Sequence, residues 1–228
     1  MARFFKLTAF PVILPFWIGF VIFVRYKMAS MNKLMGVVIL YHPDTTSFLE
    51  NLSSYLSELD QVLLLDNSET PSQVLIEALA NVHSSKINYQ YFGENRGIAQ
   101  RLNQAIEMAK GLGYQYLLTM DQDTSFQTDQ LAFYWRKIQE NTLDRVVQFG
   151  ANCQSEITPV NPMPQLVNNL ITSGTILDLF YLDQIGPFDE NLFIDFVDTE
   201  FSFRVIEKGY KNVLFSNIVL QPRIEYLK

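Results

Sequence analysis

The chain has 228 residues, of which 48% are hydrophobic and 18% are charged, a composition that excludes a disordered protein and allows one sizeable core. Its 17 basic and 24 acidic residues give a net charge of −7, and because residues 1–30 hold four basic residues and no acidic one, the rest of the chain carries −11. This acidic body argues against nucleic acid as a partner, since phosphate contacts need a basic face. The single cysteine, Cys153, excludes an intramolecular disulfide and a cysteine zinc site and suggests a reducing compartment.

The first predicted element is an uncharged run at 7–24, flanked on both sides by basic residues. It is just long enough to cross a bilayer as a helix. Residues 1–30 are therefore predicted to be a membrane anchor, with a domain at 31–228 on the cytoplasmic face of the cell membrane. A signal peptide is disfavoured because no small-residue cleavage site follows. The alternative is an upstream extension without a role, since Met31 precedes a typical domain start.

Beyond the anchor, predicted strands and helices alternate. Four short apolar runs are typical of strands that are buried on both faces, and the stretches between them carry apolar residues at helical spacing. The runs lie at 36–41, 61–65, 87–92 and 116–120, and the helical stretches at 47–59, 71–81 and 97–110. This alternation predicts an α/β fold, a doubly wound and mostly parallel sheet with helices on both faces.

The second half of the chain is less regular. A helix is predicted at 127–140, a strand at 145–151, a helix that ends before Gly209, and a last strand at 211–215.

Polar side chains follow two of the predicted strands where each strand ends. Asp66 and Asn67 follow the second strand, and Asp121 and Asp123 close the fourth. In sheets of this kind ligands bind outside the carboxyl ends of the strands. Two carboxylates on the same side of a strand repel each other unless they share a cation or a proton, and Mg²⁺ carrying a diphosphate suits them. The alternative is an Asp-rich turn.

Several enzyme classes are disfavoured by the motifs that the sequence lacks. No G-x-G-x-x-G follows the first strand and no G-x-x-x-x-G-K-[ST] occurs, which argues against a dinucleotide dehydrogenase and a P-loop phosphotransferase. His42 and His83 have no G-x-S-x-G partner, so a hydrolase triad is unsupported. A nucleotidyltransferase can share this architecture, but it calls for a basic, Gly-rich loop where residues 41–45 read YHPDT.

Five motifs, in this order and spacing, resemble the family 2 glycosyltransferases, and within them the bacterial rhamnosyltransferases that build O-antigen and capsule polysaccharides. They are Asp66-Asn67-Ser68, Asn95-Arg96-Gly97-Ile98-Ala99 with Asn103, Asp121-Gln122-Asp123, Thr172-Ser173-Gly174, and Phe193 to Glu200 with Arg204. The resemblance covers residues 34–218. It implies a GT-A fold, a nucleotide-sugar donor such as dTDP-rhamnose, a saccharide or lipid-linked saccharide acceptor, and inversion at the anomeric carbon.

The resemblance also implies roles for single residues. Asp123 and Asp121 would hold Mg²⁺ or Mn²⁺, with Asp123 the more direct ligand, and Asp198 would be the catalytic base. The residues implied in substrate binding are Asp66 by the donor's base and ribose, Asn67 beside it, Arg96 and Asn103 near the nucleotide, Asp121, Ser173 and Gly174 around the sugar or acceptor, and Glu200 beside the base. A base without a nucleophile gives inversion.

Alternatives stay open for the acidic residues near the end of the chain. Asp198 and Glu200 also suit the first turn of a helix, whose dipole favours acids, and Arg204 has the spacing of a simple helix pair with Glu200. The family usually has a histidine after the last strand, near the metal and diphosphate, but no His follows His83. The chain is therefore either an active enzyme without that ligand or a truncated, non-catalytic remnant that still binds nucleotide-sugar.

Overall fold

The computed structural model describes residues 33–82, 84–153 and 163–222. The predicted anchor at 1–30 lies outside these residues. Within the described ranges, no helix combines the length and the apolar character that a bilayer crossing needs.

Nine strands of the described chain form one sheet, and six α-helices connect or cover them. The strands are β1 (Leu34–Leu40), β2 (Gln61–Asp66), β3 (Ile87–Tyr91), β4 (Tyr116–Asp121), β5 (Thr124–Phe126), β6 (Val146–Asn152), β7 (Gln165–Val167), β8 (Thr175–Asp178) and β9 (Lys211–Pro222). The helices are α1 (Thr45–Ser53), α2 (Gln73–Asn81), α3 (Gly97–Gly111), α4 (Gln130–Gln139), α5 (Leu182–Ile185) and α6 (Val197–Glu207).

The sheet has two halves of different construction. Strands β3, β2, β1 and β4 lie side by side in parallel, as the alternation of strands and helices predicts. The order then continues through β8, β6, β9 and β5, with β7 also paired to β9, and four of these pairings are antiparallel. The prediction of a mostly parallel sheet is therefore right for the first half and wrong for the second. Strands β5, β7 and β8 have three or four residues each, too few to show a period in the sequence.

Helices cover both faces of the sheet, as predicted. In β1 the side chains of Val38 and Leu40 join a core with α1, α2 and α4, while Met35 and Val37 join a second core with α3, α5 and α6. Both cores are almost free of solvent contact, which explains why β1 and β2 are apolar without alternation. Burying each of these side chains stabilises the fold by about 1.5–3 kcal/mol.

The register of the parallel half brings the polar strand ends together. Leu40 in β1 lies beside Asp66 in β2, and Ile39 lies beside Asp121 in β4. Asp66 and Asp121 thus flank the end of β1 although 55 positions separate them. The helix predicted at 47–59 ends earlier, at Ser53, and a 3₁₀ turn at Leu56–Glu58 follows it.

Candidate active site

A cavity of about 600 Å³ opens at this edge of the sheet. Its walls include the ends of β1 and β4, the residues that follow β2, the start of α3 and the start of α6. Among the polar side chains that line it are Asn67, Asn95, Asp121, Asp123 and Asp198. The cavity lies where the sequence predicts a ligand.

Three carboxylates from two distant parts of the chain face this cavity. Asp121 ends β4, Asp123 follows two residues later, and Asp198 lies in the first turn of α6. Asp121 is reached by solvent through the cavity, but the pKa of its carboxyl is raised to about 6, chiefly by enclosure in protein and also by the charges of Asp123 and Asp198, against the lowering effect of the Ser173 hydroxyl. Because all three residues line the same cavity, their negative charges share one space.

These carboxylates suit a divalent cation that arrives with a phosphate ligand. No group of three His, Cys, Asp or Glu residues in the described ranges has the geometry of a complete metal site. Mg²⁺ and Mn²⁺ do not need one, because they commonly take one or two carboxylates and complete their shell with phosphate oxygens and water. Asp121 and Asp123 fit this kind of site, since a cation would relieve the repulsion that raises the pKa of Asp121.

Gln122, between the two aspartates, ties their turn to neighbouring segments. Its side-chain Oε1 accepts a hydrogen bond from Tyr41 N at 2.9 Å and its Nε2 donates to Tyr41 O at 3.1 Å. Its backbone carbonyl accepts a hydrogen bond from Asn51 Nδ2 at 3.1 Å. The sequence motif includes Gln122, but its role as a brace depends on partners 81 and 71 positions away.

The Thr172-Ser173-Gly174 segment braces β4 from the other side. Ser173 Oγ accepts a hydrogen bond from Asp121 N at 3.2 Å, and Gly174 N donates to Thr119 O at 2.8 Å. The Thr119 hydroxyl donates to the carbonyl of Thr172. Thr172 lines the cavity, whereas Ser173 and Gly174 are buried behind it. The structure therefore places these two residues in support of Asp121, and their predicted contact with a sugar stays a prediction.

Asp66 and Asn67 differ in their exposure to the cavity. The Asp66 carboxylate is fully buried, accepting hydrogen bonds from Ser68 N at 3.0 Å and from the Tyr89 hydroxyl at 2.6 Å. Burial and this contact with Asp66 raise the pKa of Tyr89. Asp66 does not line the cavity, but the adjacent Asn67 does.

Three more of the predicted substrate-binding residues lie outside the cavity wall and hold other parts of the fold. Arg96 is exposed and pairs with Glu94 at 2.6 Å. Asn103 donates to Phe188 O at 3.0 Å and so ties α3 to the loop before α6. Glu200 pairs with Arg204 at 2.6 Å, the helix pair that their spacing predicts. The structure brings Asn67, Asp121, Asp123 and Asp198 together at the cavity but not Arg96, Asn103 or Glu200.

The sequence does not indicate the roles of two residues near the cavity, Cys153 and Arg101. Burial raises the pKa of the half-buried Cys153 thiol to about 11, with the charges of Asp121 and Asp123 adding to the effect. This thiol after β6 therefore lies near the carboxylates and is protonated at neutral pH.

Arg101 on α3 is fully buried and donates to Asn67 Oδ1 at 2.8 Å. The burial of Arg101 and its hydrogen bond to Asn67 exist only in the folded chain, so the sequence alone could not identify this residue as part of the site's support.

The α/β sheet thus places an acidic strand end and a second acid at one cavity, at the edge where ligands of such sheets bind. The glycosyl transferase family 2 model matches residues 44–200, and the chain belongs to this family. The chain is 25% identical over 201 residues to the dTDP-rhamnosyl transferase RfbF of Shigella flexneri, covering 78% of this chain and 64% of that protein. The chain thus spans less than two thirds of the length of that relative.

Solved structures share the fold. GalNAc-T7, crystallised with UDP, GalNAc and Mn²⁺, superposes with a TM-score of 0.69 at 13% identity, over 83% of this chain and 43% of that one. TarS 1–349 of S. aureus in complex with UDP-GlcNAc superposes with a TM-score of 0.62 at 16% identity, over 85% and 60% of the two chains. These likenesses support the predicted GT-A-like fold.

Proposed function

We propose that the chain is an inverting glycosyltransferase that moves a sugar from a nucleoside-diphosphate donor to a hydroxyl of a saccharide or lipid-linked saccharide. One observation carries this proposal: the two carboxylates at the end of β4 and the carboxylate of Asp198 face one cavity. The first two suit the diphosphate end of a donor, and the third suits the acceptor hydroxyl.

In the reaction, the acceptor oxygen attacks the anomeric carbon and forms the new glycosidic bond. The bond between that carbon and the diphosphate oxygen breaks, and the nucleoside diphosphate leaves with the electron pair. Asp198 takes the proton of the attacking hydroxyl as general base. With one base and no nucleophile, the sugar inverts its configuration in a single step.

Other residues at and behind the cavity wall would hold the donor or support the residues that do. Asp123 and Asp121 would hold Mg²⁺ or Mn²⁺, which when bound supplies Lewis-acid neutralisation of the departing diphosphate. Gln122 and Ser173 keep Asp121 at the cavity edge through the hydrogen bonds described above. Phe193 and Ile194 form an apolar part of the wall.

Rhamnose, given by dTDP-rhamnose, is the donor sugar we propose, and its support is the similarity to the Shigella dTDP-rhamnosyl transferase. Proteins of this fold have been crystallised with UDP and Mn²⁺ and with UDP-GlcNAc, which supports a metal-bound nucleotide-sugar as the donor class.

We further propose that the uncharged run at 7–24 holds the enzyme at the cytoplasmic face of the membrane, where lipid-linked acceptors lie.

Isothermal titration of the full chain with dTDP-rhamnose, with and without Mg²⁺ or Mn²⁺, tests the proposal. Metal-dependent binding should be lost in Asp123→Asn and kept in Asp129→Asn, a matched change at an exposed residue outside the cavity. A folded chain that binds no dTDP-, UDP- or GDP-linked sugar would overturn the donor site. Binding without release of dTDP in the presence of saccharide acceptors would favour the non-catalytic alternative.

A further inference from the structure

Three polar side chains are buried where β6, β9 and α6 meet, and the mechanism described above does not use them. They are Gln148 on β6, Ser202 on α6 and Asn212 on β9, and each is at most 3% exposed. A buried polar group is costly when it lacks a partner, so such side chains persist where the fold pairs them. Their hydrogen bonds therefore show which parts of the chain they join.

The backbone fixes the orientation of these side chains. Asn212 Nδ2 donates to the carbonyl of Ser202 at 3.0 Å, so Asn212 Oδ1 accepts from Gln148 Nε2, also at 3.0 Å. Gln148 Nε2 donates its second hydrogen to Ser202 Oγ at 3.2 Å. Ser202 Oγ also accepts from Leu170 N at 3.1 Å, which leaves its own hydrogen for the carbonyl of Leu170 at 3.3 Å. The hydroxyl thus uses its one donor and both acceptor positions.

Leu170 is the point at which these side chains meet the segment before β8. Both polar backbone atoms of Leu170 bind the one hydroxyl of Ser202. The buried side chain of Leu170 packs against Gly150 on β6, where a Cβ would lie only 2.3 Å from Leu170 Cδ2. The neighbouring Asn169 donates to Thr199 Oγ1 at 3.5 Å. The segment is therefore tied to α6 at two places.

The same segment reaches β4 three residues later. Ser173 Oγ accepts from Asp121 N at 3.2 Å at the end of that strand. The three peptide units from Leu170 to Ser173 span no more than about 11 Å, too little to absorb a large displacement. Residues 169–174, which we call the bridge segment, therefore join α6 to the strand that ends in the acidic pair.

The bridge segment connects the two ends of the proposed reaction. Asp198 and Ser202 are four residues apart in α6, a spacing that puts both on one face of the helix. Asp198 is the proposed base, and the carboxylates at the end of β4 are proposed to hold the diphosphate. The base must stay within reach of the acceptor oxygen that attacks the sugar on this diphosphate, and a displacement of about 1 Å can cost on the order of a hundredfold in rate.

We propose that Ser202 is a positioning residue, which holds Asp198 at a fixed distance from Asp121 by fastening α6 to the bridge segment. The effect on turnover rests on the proposed function, since that function makes Asp198 the base. The connection between α6 and β4 belongs to the chain itself and can be tested without a substrate. The alternative is that the buried polar side chains only specify the packing of the core.

Hydrogen exchange of the full chain tests the connection in Ser202→Ala, which removes the fastening. Asp121 N and Gly174 N are donors at the far end of the bridge segment. We expect the exchange of these two amides to quicken about fivefold or more beyond what the loss of global stability in urea accounts for. Exchange that quickens there only in line with global stability would overturn the connection and leave the proposed function intact.

Two further variants keep the comparison sharp. Tyr116→Phe is the matched control, because it removes another buried hydroxyl, one that is hydrogen-bonded to Asp178 and lies outside the cavity wall. It should lower global stability without a further effect on the two amides. If Ser202→Ala does not fold, the triple variant Gln148→Leu, Ser202→Ala and Asn212→Leu serves the same test, because it leaves no side chain of the buried group unpaired.

Turnover is the second readout, measured as dTDP release from dTDP-rhamnose and Mg²⁺ with methyl rhamnoside as the acceptor probe. With all forms folded, Ser202→Ala should lower kcat by about ten- to a hundredfold. The affinity for dTDP should change less than about twofold, because Gln122 still holds the acidic turn. Equal losses of kcat in Ser202→Ala and Tyr116→Phe would assign Ser202 to fold stability alone. If the wild-type chain binds no dTDP, the proposed function fails, and the exchange measurement still decides the connection.

A double variant tests whether Ser202 acts through the base. Ser202→Ala combined with Asp198→Asn should turn over no more slowly than Asp198→Asn alone, because the group that Ser202 holds in place has already been lost. Losses that multiply would show that Ser202 affects the rate by another route, and would overturn its role as a positioning residue for Asp198.

Discussion

Gln122 uses both ends of its side-chain amide on the backbone of one residue, Tyr41, accepting from its N at 2.9 Å and donating to its O at 3.1 Å. The residue between the two aspartates is thus joined to the segment that follows β1. Because Asp121 and Asp123 flank Gln122, this double hydrogen bond sets where the carboxylates lie relative to the rest of the cavity.

Loss of the Gln122 side chain should loosen the carboxylate turn. The substitution removes two side-chain hydrogen bonds that contribute about 0.5–1.5 kcal/mol each, so Gln122→Ala should weaken metal-dependent dTDP binding by at most about 5- to 150-fold. Titration of both forms at saturating Mg²⁺ measures the change. Gln73→Ala is the control, since Gln73 lies on the exposed face of α2 and its side chain donates a hydrogen bond to Glu77. An affinity equal to that of wild type would show that the turn holds its shape without Gln122.

The stability of the protein should depend on pH through Asp121. Its pKa is raised from 3.8 to about 6 in the folded state, so the folded state holds the proton more tightly than the unfolded state does. The resulting stabilisation is complete below the unfolded pKa and is lost as pH rises through the folded pKa of about 6. Asp121→Asn carries no charge, and its melting temperature should exceed that of wild type at pH 8 by a margin that vanishes near pH 4.

Thermal unfolding across pH 4–8 without metal tests this dependence, with Asp129→Asn as the control for removing a charge outside the cavity. A margin that stays constant with pH would contradict the raised pKa. Mg²⁺ should raise the melting temperature of wild type more at pH 8 than at pH 5, because the cation needs the ionised carboxylate.

Gly97 should not tolerate a side chain. Its φ is +78°, and a Cβ there would lie 2.3 Å from the carbonyl oxygen of Phe193, whose position is fixed by a hydrogen bond from Ile98 N at 2.8 Å. Gly97→Ala should therefore destabilise the protein by about 2–4 kcal/mol in urea unfolding. Gly111, at the other end of α3, has open space around it, and Gly111→Ala should stabilise by about 0.5–1 kcal/mol. Similar effects at both glycines would contradict the close packing of the Phe193 loop on α3.

Asp198 should affect turnover much more than donor binding. In Asp198→Asn the oxygen that accepts from Thr199 N at 2.7 Å can stay in place, so the start of α6 keeps its hydrogen bond while the proton acceptor is removed. We expect kcat to fall by on the order of 10²–10⁴ with little change in donor affinity. Initial rates of dTDP release with acceptor, beside the exposed control Glu207→Gln on the same helix, measure this. Undiminished turnover would remove Asp198 from the mechanism.

Much of the fold could be predicted, because the pattern of apolar residues within each segment indicates its secondary structure. The apolar runs that became β1, β2 and β4 are buried on both faces, and burial of that kind leaves a continuous signature. The second half of the sheet was not predictable in this way. Strands β7 and β8 are short, and β9 gains its length from partners on both sides that come from other parts of the chain.

The sequence by itself determined the acidic strand end, the acid on the later helix and the family to which they belong, because side-chain type and spacing decide which cation or proton a site can hold. The tertiary structure alone decided which candidates reach the cavity. The carboxylate of Asp66 accepts a buried hydrogen bond from Tyr89, and Glu200 forms an ion pair with Arg204, while Asn95 Nδ2 at the cavity wall has no partner among the residues that the structure describes. The physical reason is that a hydrogen-bonding group is available to a ligand only when the fold has not already paired it, and most of those pairings join residues tens of positions apart.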